Sequence, residues 1–307
     1  MKLLPALFVS LMLAGCNGAL EQTISHSVVG IGHGGVTYMH YQHSPALLAG
    51  VDKVYERGGF LHPIRTPSGA LLSDSFPEDH RHHHGIWTAW SAVDWNGIRP
   101  DFWNVGNATG GVRTVSEPEW SEDRSELVCR MESYAETAQG RLTLLKETWK
   151  VRPLPGLPRA HRFDLEISQL NVSEHPVQLG THHYGGLGLR GRSDWVHTRP
   201  EAKQLVFLTS NGTRDRIKGD GEACRWFYFG GPGPSGQVGY VVMNLSYGPD
   251  QHTRFNPKDP FVAYTPVKLE GLSISPKATL TMRYRILLLD GPPDVDAIEA
   301  EWRAAKG

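Results

Sequence analysis

Histidine is concentrated in one short stretch of this sequence, just after Phe76. The stretch before Ile86 contains one aspartate and four histidines: Asp79, His80, His82, His83 and His84. Neutral imidazole is the commonest metal-ligating side chain, and carboxylates often join it. Alternate residues of an extended segment share a face. We therefore predict that Asp79, His80, His82 and His84 converge on a divalent metal ion of open identity, with His83 pointing away. A solvated polar loop is the alternative.

Aromatic residues surround this stretch. Trp87, Trp90 and Trp103 offer flat apolar rings of the kind on which sugar rings stack. Pro77 and Gly85 bracket the histidines as a loop, and functional side chains are common on loops. Arg65, in the preceding segment HPIRTPSG, is a further candidate for substrate binding. The combination favours a carbohydrate-binding pocket.

A second histidine pair lies in the segment LNVSEHPVQLGTHHYGGLGLR, residues 170–190. A strand is predicted to end just before His182 and His183, which then face a glycine-rich turn that permits close backbone approach. We predict a catalytic role for these two histidines and a substrate-binding role for Tyr184 and Arg190. The guanidinium of Arg190 is a fixed fork for a carboxylate or neighbouring hydroxyls. The alternative is a pair of core histidines that only form hydrogen bonds.

The first residues are typical of a bacterial secretion signal. Lys2 precedes an apolar run from Leu3 to Ala14, which is shorter than the roughly 20 residues needed to span a bilayer. The sequence LAGC at positions 13–16 resembles a lipobox, and this resemblance implies cleavage before Cys16 and lipidation of its sulfur. We predict a signal peptide and lipobox over residues 1–16. The mature protein is then lipid-anchored in the cell envelope, at the outer membrane facing the periplasm, since Asn17 follows the cysteine.

The elements that position the histidines are predicted to be strands. Short runs of β-branched and aromatic residues alternate with turns, without βαβ alternation. Residues 162–170 alternate apolar and charged side chains, as in a half-buried strand. Pro153 and Pro155 predict a connection between strands. Only residues 294–306 have a helical pattern. We predict one all-β domain over residues 23–307, a sandwich or barrel closed by a short C-terminal helix.

Charge and cysteine content narrow the class of protein. The 307 residues include 31 Lys and Arg against 32 Asp and Glu, a net charge of −1. This balance argues against a nucleic-acid partner, which requires a basic surface. Besides Cys16 the chain has Cys129 and Cys224. An exported protein permits a disulfide between them, and two buried thiols are equally consistent with the sequence.

Several segments resemble known families. HPIRTPSG, FPEDHRHHHGIW, HHYGGLGLRG and LTMRYRILLLDG closely resemble a bacterial family of unknown function labelled PmoA-like, or "methane oxygenase PmoA", over about residues 55–291. The chain is more distantly similar to aldose-1-epimerases. In those enzymes a strand with N-x-S-x-x-P leads into H-x-Y, as Asn171, Ser173 and Pro176 here precede His182 and Tyr184.

An earlier H-G-F motif of the aldose-1-epimerases, with a nearby tryptophan, is similar to His84-Gly85-Ile86 with Trp90. This second resemblance implies a galactose-mutarotase-like β-supersandwich. It also implies that His84 and His182 contact a sugar ring, with His182 as a candidate general acid.

These observations lead to one main function and two alternatives. We predict a carbohydrate-active enzyme of the cell envelope with catalytic His84, His182 and His183, whose step is an epimerase, lyase or hydrolase reaction by acid–base chemistry. A divalent metal ion could assist it. The first alternative is a non-catalytic carbohydrate-binding lipoprotein, and the second is a metal-handling protein.

Overall fold

The computed structural model describes residues 27–246 and 250–306, and their strands form three antiparallel sheets. The seven-stranded sheet comprises, in spatial order, β1 (Val28–His33), β2 (Val36–Gln42), β3 (Phe60–Ile64), β4 (Ile86–Ala89), β11 (Gly186–Arg190), β16 (Phe261–Thr265) and β15 (His252–Phe255). The eight-stranded sheet comprises β12 (Val206–Thr209), β13 (Trp226–Gly233), β14 (Gly236–Asn244), β18 (Thr279–Asp290), β9 (Ala160–Asn171), β8 (Gly140–Leu157), β7 (Leu127–Thr137) and β6 (Gly110–Trp120). The small sheet comprises β17 (Leu272–Ile274), β10 (Val177–Leu179) and β5 (Val93–Asp94).

The two large sheets pack face to face, and the prediction of an all-β sandwich with a C-terminal helix is confirmed. Strand β9 illustrates the cause, because Phe163, Leu165 and Ile167 are buried while the residues between them are only partly buried. The helix α1 (Val295–Lys306) lies on the outer face of the eight-stranded sheet. There Ile298 is buried in a separate apolar cluster with Trp226.

A polar bridge connects the two large sheets inside the core. Glu147 on β8 accepts hydrogen bonds from Thr88 on β4, from the Trp149 indole, and from Gln169 Nε2 at 2.6 Å. Trp90 Nε1 in turn donates to Gln169 Oε1 at 2.8 Å. Burial raises the pKa of Glu147. The bridge fixes β4, and with it the loop that precedes β4, to the eight-stranded sheet.

The predicted connection at Pro153 and Pro155 is wrong. Strand β8 continues through both prolines to Leu157 and pairs with β9, with a register shift between Leu154 and Leu157. Strand β8 pairs with β7 only as far as Val151, so at both prolines it is an edge strand, and Pro155 also lies within the register shift. Edge positions and bulges tolerate a missing N–H donor.

Two further sequence predictions concern cysteines and the chain start. Cys129 and Cys224 are buried free thiols, so of the two alternatives the structure has the thiols. The predicted signal peptide, lipobox and Cys16 lie outside the described residues and stay predictions. Within residues 27–246 and 250–306, every helix is too short or too polar to cross a bilayer.

Candidate functional site

The histidine-rich loop precedes β4 and is folded into two successive turns. His80 N donates to Pro77 O at 3.1 Å, and His83 N donates to His80 O at 2.8 Å. The prediction that His80, His82 and His84 share one face is therefore wrong, because alternation holds only in an extended segment. Instead the rings of His80 and His83 stack, with centroids 4.6 Å apart.

Two of the four histidines belong to an aromatic layer on the outer face of the seven-stranded sheet. His83 stacks on Phe261, and His84 stacks on Phe60 with centroids 4.2 Å apart. Both histidines are buried, and burial lowers their pKa well below the usual range. His84 Nδ1 is 3.1 Å from Ser75 Oγ. His84 is 1% exposed, so its enclosed ring is unsuited in this structure to the predicted roles of metal ligand and catalytic residue.

The three tryptophans predicted to stack on sugar are core residues. Trp87 and Trp90 are 0% exposed and Trp103 is 1% exposed, so none presents a ring face to a ligand. Gly188 lies under two of them, since a Cβ there would be 2.8 Å from Trp103 and 2.9 Å from Trp87. The predicted sugar-stacking role is therefore contradicted, because these rings are used to pack loop against sheet.

The polar centre of the site is formed by Arg190, Asp79 and His80. Arg190, at the end of β11, is fully buried, and its Nη2 donates to both carboxylate oxygens of Asp79 at 2.8 Å. Asp79 Oδ2 is 3.0 Å from His80 Nδ1, and the His80 side chain is 34% exposed. Burial raises the pKa of Asp79, but the hydrogen bonds from His80 and Arg190 outweigh burial and hold that pKa well below its usual range. We predicted that Arg190 binds substrate, but in the structure its guanidinium binds the carboxylate of Asp79 instead.

Two residues that sequence reasoning missed complete this cluster. Asp259 Oδ2 is 3.8 Å from His80 Nδ1, and Asp259 Oδ1 is 3.8 Å from His197 Nδ1. In the sequence Asp259 lies in a proline-flanked turn, and no spacing relates it to the histidine loop. The turn holds Asp259 by hydrogen bonds from the backbone amides of Lys258 and Asp259 to the Asn256 side chain.

The geometry of this cluster is compatible with a small cation. Ligand atoms of Asp79, His80 and Asp259 all lie within 4.8 Å of one another, the only such group found among the described residues. Metal bonds of about 2.0–2.2 Å separate neighbouring ligand atoms by roughly 3–3.5 Å. His80 Nδ1 is 3.0 Å from Asp79 Oδ2 and 3.8 Å from Asp259 Oδ2, so a bound cation would draw Asp259 closer. Of the four predicted ligands, Asp79 and His80 belong to this group, whereas His82 and His84 do not.

His82 occupies the side of the loop that faces the segment around Asp101. Burial, helped by the charge of His80, lowers the pKa of His82 to about 4, and the charge of Asp101 opposes this shift. Asp101 itself accepts hydrogen bonds from the backbone amides of Trp103 and Asn104 at 2.9 and 2.8 Å. A neutral imidazole at this position can accept a hydrogen bond from a ligand hydroxyl.

The second histidine element lies at the other end of the β4–β11 strand pair. His182 and His183 stack with centroids 4.5 Å apart, and Tyr184 Oη donates to Asn104 Oδ1 at 3.2 Å. The three register steps between the pairs Gly186–Ala89 and Leu189–Ile86 place the two elements roughly 10 Å apart along the strands. His182 and the buried His84 therefore make no direct contact.

His183 is exposed beside a group of charged residues. Burial, the charge of His182, and the charges of Arg254 and Lys268 lower its pKa, while the charge of Asp220 raises it. Arg65 lies elsewhere: its exposed side chain donates to Gly69 O at 3.0 Å. The structure does not place Arg65 against the histidine loop, so its predicted role in substrate binding lacks a structural partner.

The fold is all-β. The cluster of Arg190, Asp79, His80 and Asp259 forms a polar site on the outer face of the seven-stranded sheet. The chain belongs to a family of unknown function, DUF6807, which it matches over residues 28–303. A search of curated proteins found no significant match. Among solved structures it is similar to a polysaccharide lyase, BACCELL_00875, at 10% identity and a TM-score of 0.40, covering 90% of this chain and 34% of that chain. The chain thus spans about a third of that protein's length.

Proposed function

We propose that this protein is a carbohydrate-active enzyme whose acid–base group is His80. The observation that carries the proposal is the chain of contacts Arg190–Asp79–His80. A carboxylate on Nδ1 fixes the tautomer and orientation of an imidazole, so that Nε2 can donate or accept a proton. The buried Arg190 in turn fixes the carboxylate. This arrangement is typical of a histidine held for proton transfer.

Groups around His80 suit a polyhydroxylated ligand. Beside His80 lie the acceptor His82, with ring centroids 5.8 Å apart, and the carboxylate of Asp101, whose charge acts on His82. Tyr184 and His182 lie roughly 10 Å further along the strands. The mutarotase resemblance implies a sugar contact at His182, whose side chain is half-buried. Epimerase, lyase and hydrolase steps all need a proton donor or acceptor at a sugar oxygen or carbon, and they remain open alternatives.

The experiment is a turnover assay on a panel of oligosaccharides with three readouts: new reducing ends, ultraviolet absorbance of an unsaturated product, and change in optical rotation. H80A should lose about 100-fold or more in kcat, and added imidazole should restore part of it. H33A, which alters an exposed histidine of β1, is the matched control and should keep full activity. Binding of oligosaccharides without conversion would favour the non-catalytic alternative.

A second candidate uses the same residues to hold a divalent cation. The proximity of Asp79, His80 and Asp259 favours it, with His197 next to Asp259. A cation there would act as a Lewis acid toward a carbonyl or enediolate oxygen. Arg190 would then orient the metal-ligating carboxylate of Asp79 through its hydrogen bonds, as partners of metal ligands commonly do. Elemental analysis of protein purified without a histidine tag decides between this candidate and the metal-free one.

We also propose that the protein acts while tethered to the membrane through a lipid on Cys16. The support is the lipobox-like sequence LAGC at positions 13–16. The several acyl chains that a lipobox cysteine receives hold a protein firmly, whereas a single chain binds only marginally.

A further inference from the structure

A cavity of about 700 Å³ lies between the segment after β2 and strands β6 to β8. Basic side chains predominate in its lining: His43, Lys53, Arg57, Arg113 and Arg141. The lining carboxylates are Glu56 and Glu136. A basic cavity in a chain of net charge −1 is a local feature that requires its own explanation.

Two of the three arginines are neutralised within the protein. Arg113 Nε donates to Glu132 Oε1 at 2.7 Å, and Arg141 Nε donates to Glu136 Oε1 at 2.7 Å. These pairs build the wall of the cavity and need no charge from a ligand.

Arg57 is different, because it is buried without an ion pair. It is 5% exposed, and it donates from Nη2 to Thr88 O at 2.6 Å and from Nε to Gly58 O at 3.3 Å. Among residues 27–246 and 250–306 Arg57 forms no ion pair, and its hydrogen bonds, both to backbone carbonyl oxygens, come from Nε and Nη2. The charge of Glu147 is felt at Arg57, but neutral donors already occupy the Glu147 oxygens. Burying a charge without a partner is costly, so the position is suited to an anion that arrives from outside.

Two neighbours define what else the ligand must offer. Lys53 is exposed at the cavity and forms no ion pair with the described residues. His43 Nε2 is 3.4 Å from Glu117 Oε1, whereas His43 Nδ1 is buried and has no partner. With the proton on Nε2, directed at Glu117, Nδ1 is an acceptor for a hydroxyl donor.

We propose that this cavity binds an anionic saccharide, whose carboxylate or sulfate pairs with Arg57 and Lys53 and whose hydroxyl donates to His43 Nδ1. We infer that the ligand is negatively charged because Arg57 and Lys53 in the cavity form no ion pair with the described residues. The saccharide rests on the proposed function. The cavity is separate from the Asp79–His80–Asp259 cluster, but the charge of Arg57 reaches His82 and His84.

The test is calorimetric titration of the full chain with four probes: trigalacturonate, its methyl ester, sulfated maltotriose and sodium sulfate. At least one charged saccharide should bind, and the uncharged ester should not. R57Q should weaken binding at least about thirtyfold, as expected when a buried charge loses its partner. K53E should weaken it about tenfold, and because Lys53 is exposed this variant folds even if R57Q does not. K203E, a charge reversal at an exposed lysine outside the cavity, is the matched control.

The four probes separate the possible sources of the anion. Tighter binding of trigalacturonate assigns a carboxylate, and tighter binding of sulfated maltotriose assigns a sulfate ester. Equal binding of acid and ester, or an unchanged affinity in K53E, overturns the proposal. Binding of sodium sulfate as tight as that of the better charged saccharide overturns its saccharide half. H80A should bind the probe normally while losing turnover, so a failure of the proposed catalysis is distinguishable from a failure of this site.

Discussion

A single guanidinium nitrogen of Arg190 donates to both carboxylate oxygens of Asp79, at 2.8 Å each. The arginine is fully buried, whereas the aspartate side chain is 37% exposed. The pair therefore connects a rigid strand to the surface of a loop, and it holds Asp79 where one oxygen faces His80. Orientation of a reacting group within a few tenths of an ångström is what a supporting contact of this kind contributes.

Replacing Asp79 by Asn should test the catalytic proposal directly. D79N keeps the shape of the side chain but removes the charge that orients the His80 ring, so kcat should fall about 100-fold with a smaller change in KM. The measurement is steady-state kinetics on a substrate found in the oligosaccharide panel. D94N, at an exposed aspartate of β5 paired with Arg99, is the control. Wild-type kcat in D79N would contradict the role of His80.

His62 should make the protein less stable as pH falls. Burial, with the charges of Arg65 and His40, lowers the pKa of His62 to about 4, from about 6.5 in an unfolded chain. Below pH 6.5 the unfolded state binds the proton first, so the free energy of unfolding declines between pH 6.5 and 4, by up to about 3 kcal/mol. H62Q should flatten this decline in urea unfolding series, while H33Q should leave it unchanged. An identical pH profile in H62Q would refute the prediction.

The cation candidate makes a prediction that depends on Asp259, a residue found only through the structure. If a divalent cation binds, saturation at about 100 times Kd should add about 2.7 kcal/mol to the free energy of unfolding. D259N should lose most of this gain and the bound metal together. H82A should keep both, because His82 lies outside the group of three ligating residues. Thermal unfolding with and without chelator, paired with elemental analysis, measures both quantities. If the wild-type protein contains no metal and still turns over sugar, the cation candidate is wrong and only the acid–base proposal stands.

The lipid anchor is tested at Cys16. C16S should abolish lipidation and yield either unprocessed precursor or a soluble periplasmic form. The readout is partitioning into detergent, with metabolic labelling by a fatty-acid analogue, in cells that express the full chain. C129S, which alters a buried thiol of β7, is the control and should still be labelled. Unchanged partitioning of C16S would show that the anchor prediction is wrong.

Much of the fold was accessible from local sequence patterns. Strand β9 and strand β18 alternate apolar and polar residues with period 2, and the last residues of the chain have the helical period of α1. These patterns show that one face of each element is buried, and each segment's own sequence contains this information. The prolines of β8 were misleading, because they lie where β8 has become an edge strand paired with β9 alone, and no local pattern shows where the pairing with β7 ends.

The candidate site was only partly accessible. The histidine loop and Arg190 were identified by residue type, but their arrangement depends on two turns that pack His83 and His84 against Phe261 and Phe60. Composition cannot tell a buried imidazole from an exposed one, because that difference arises from neighbours distant in the chain.

The sequence by itself determined that this is a strand-rich chain with histidines gathered before β4. Only the tertiary structure decided which histidine faces a carboxylate. Asp259 follows His80 by almost 180 residues, and the two meet because β16 pairs with β11, which pairs with β4. Contacts between strands far apart in sequence depend on the register of intervening partners, and no local pattern encodes that register.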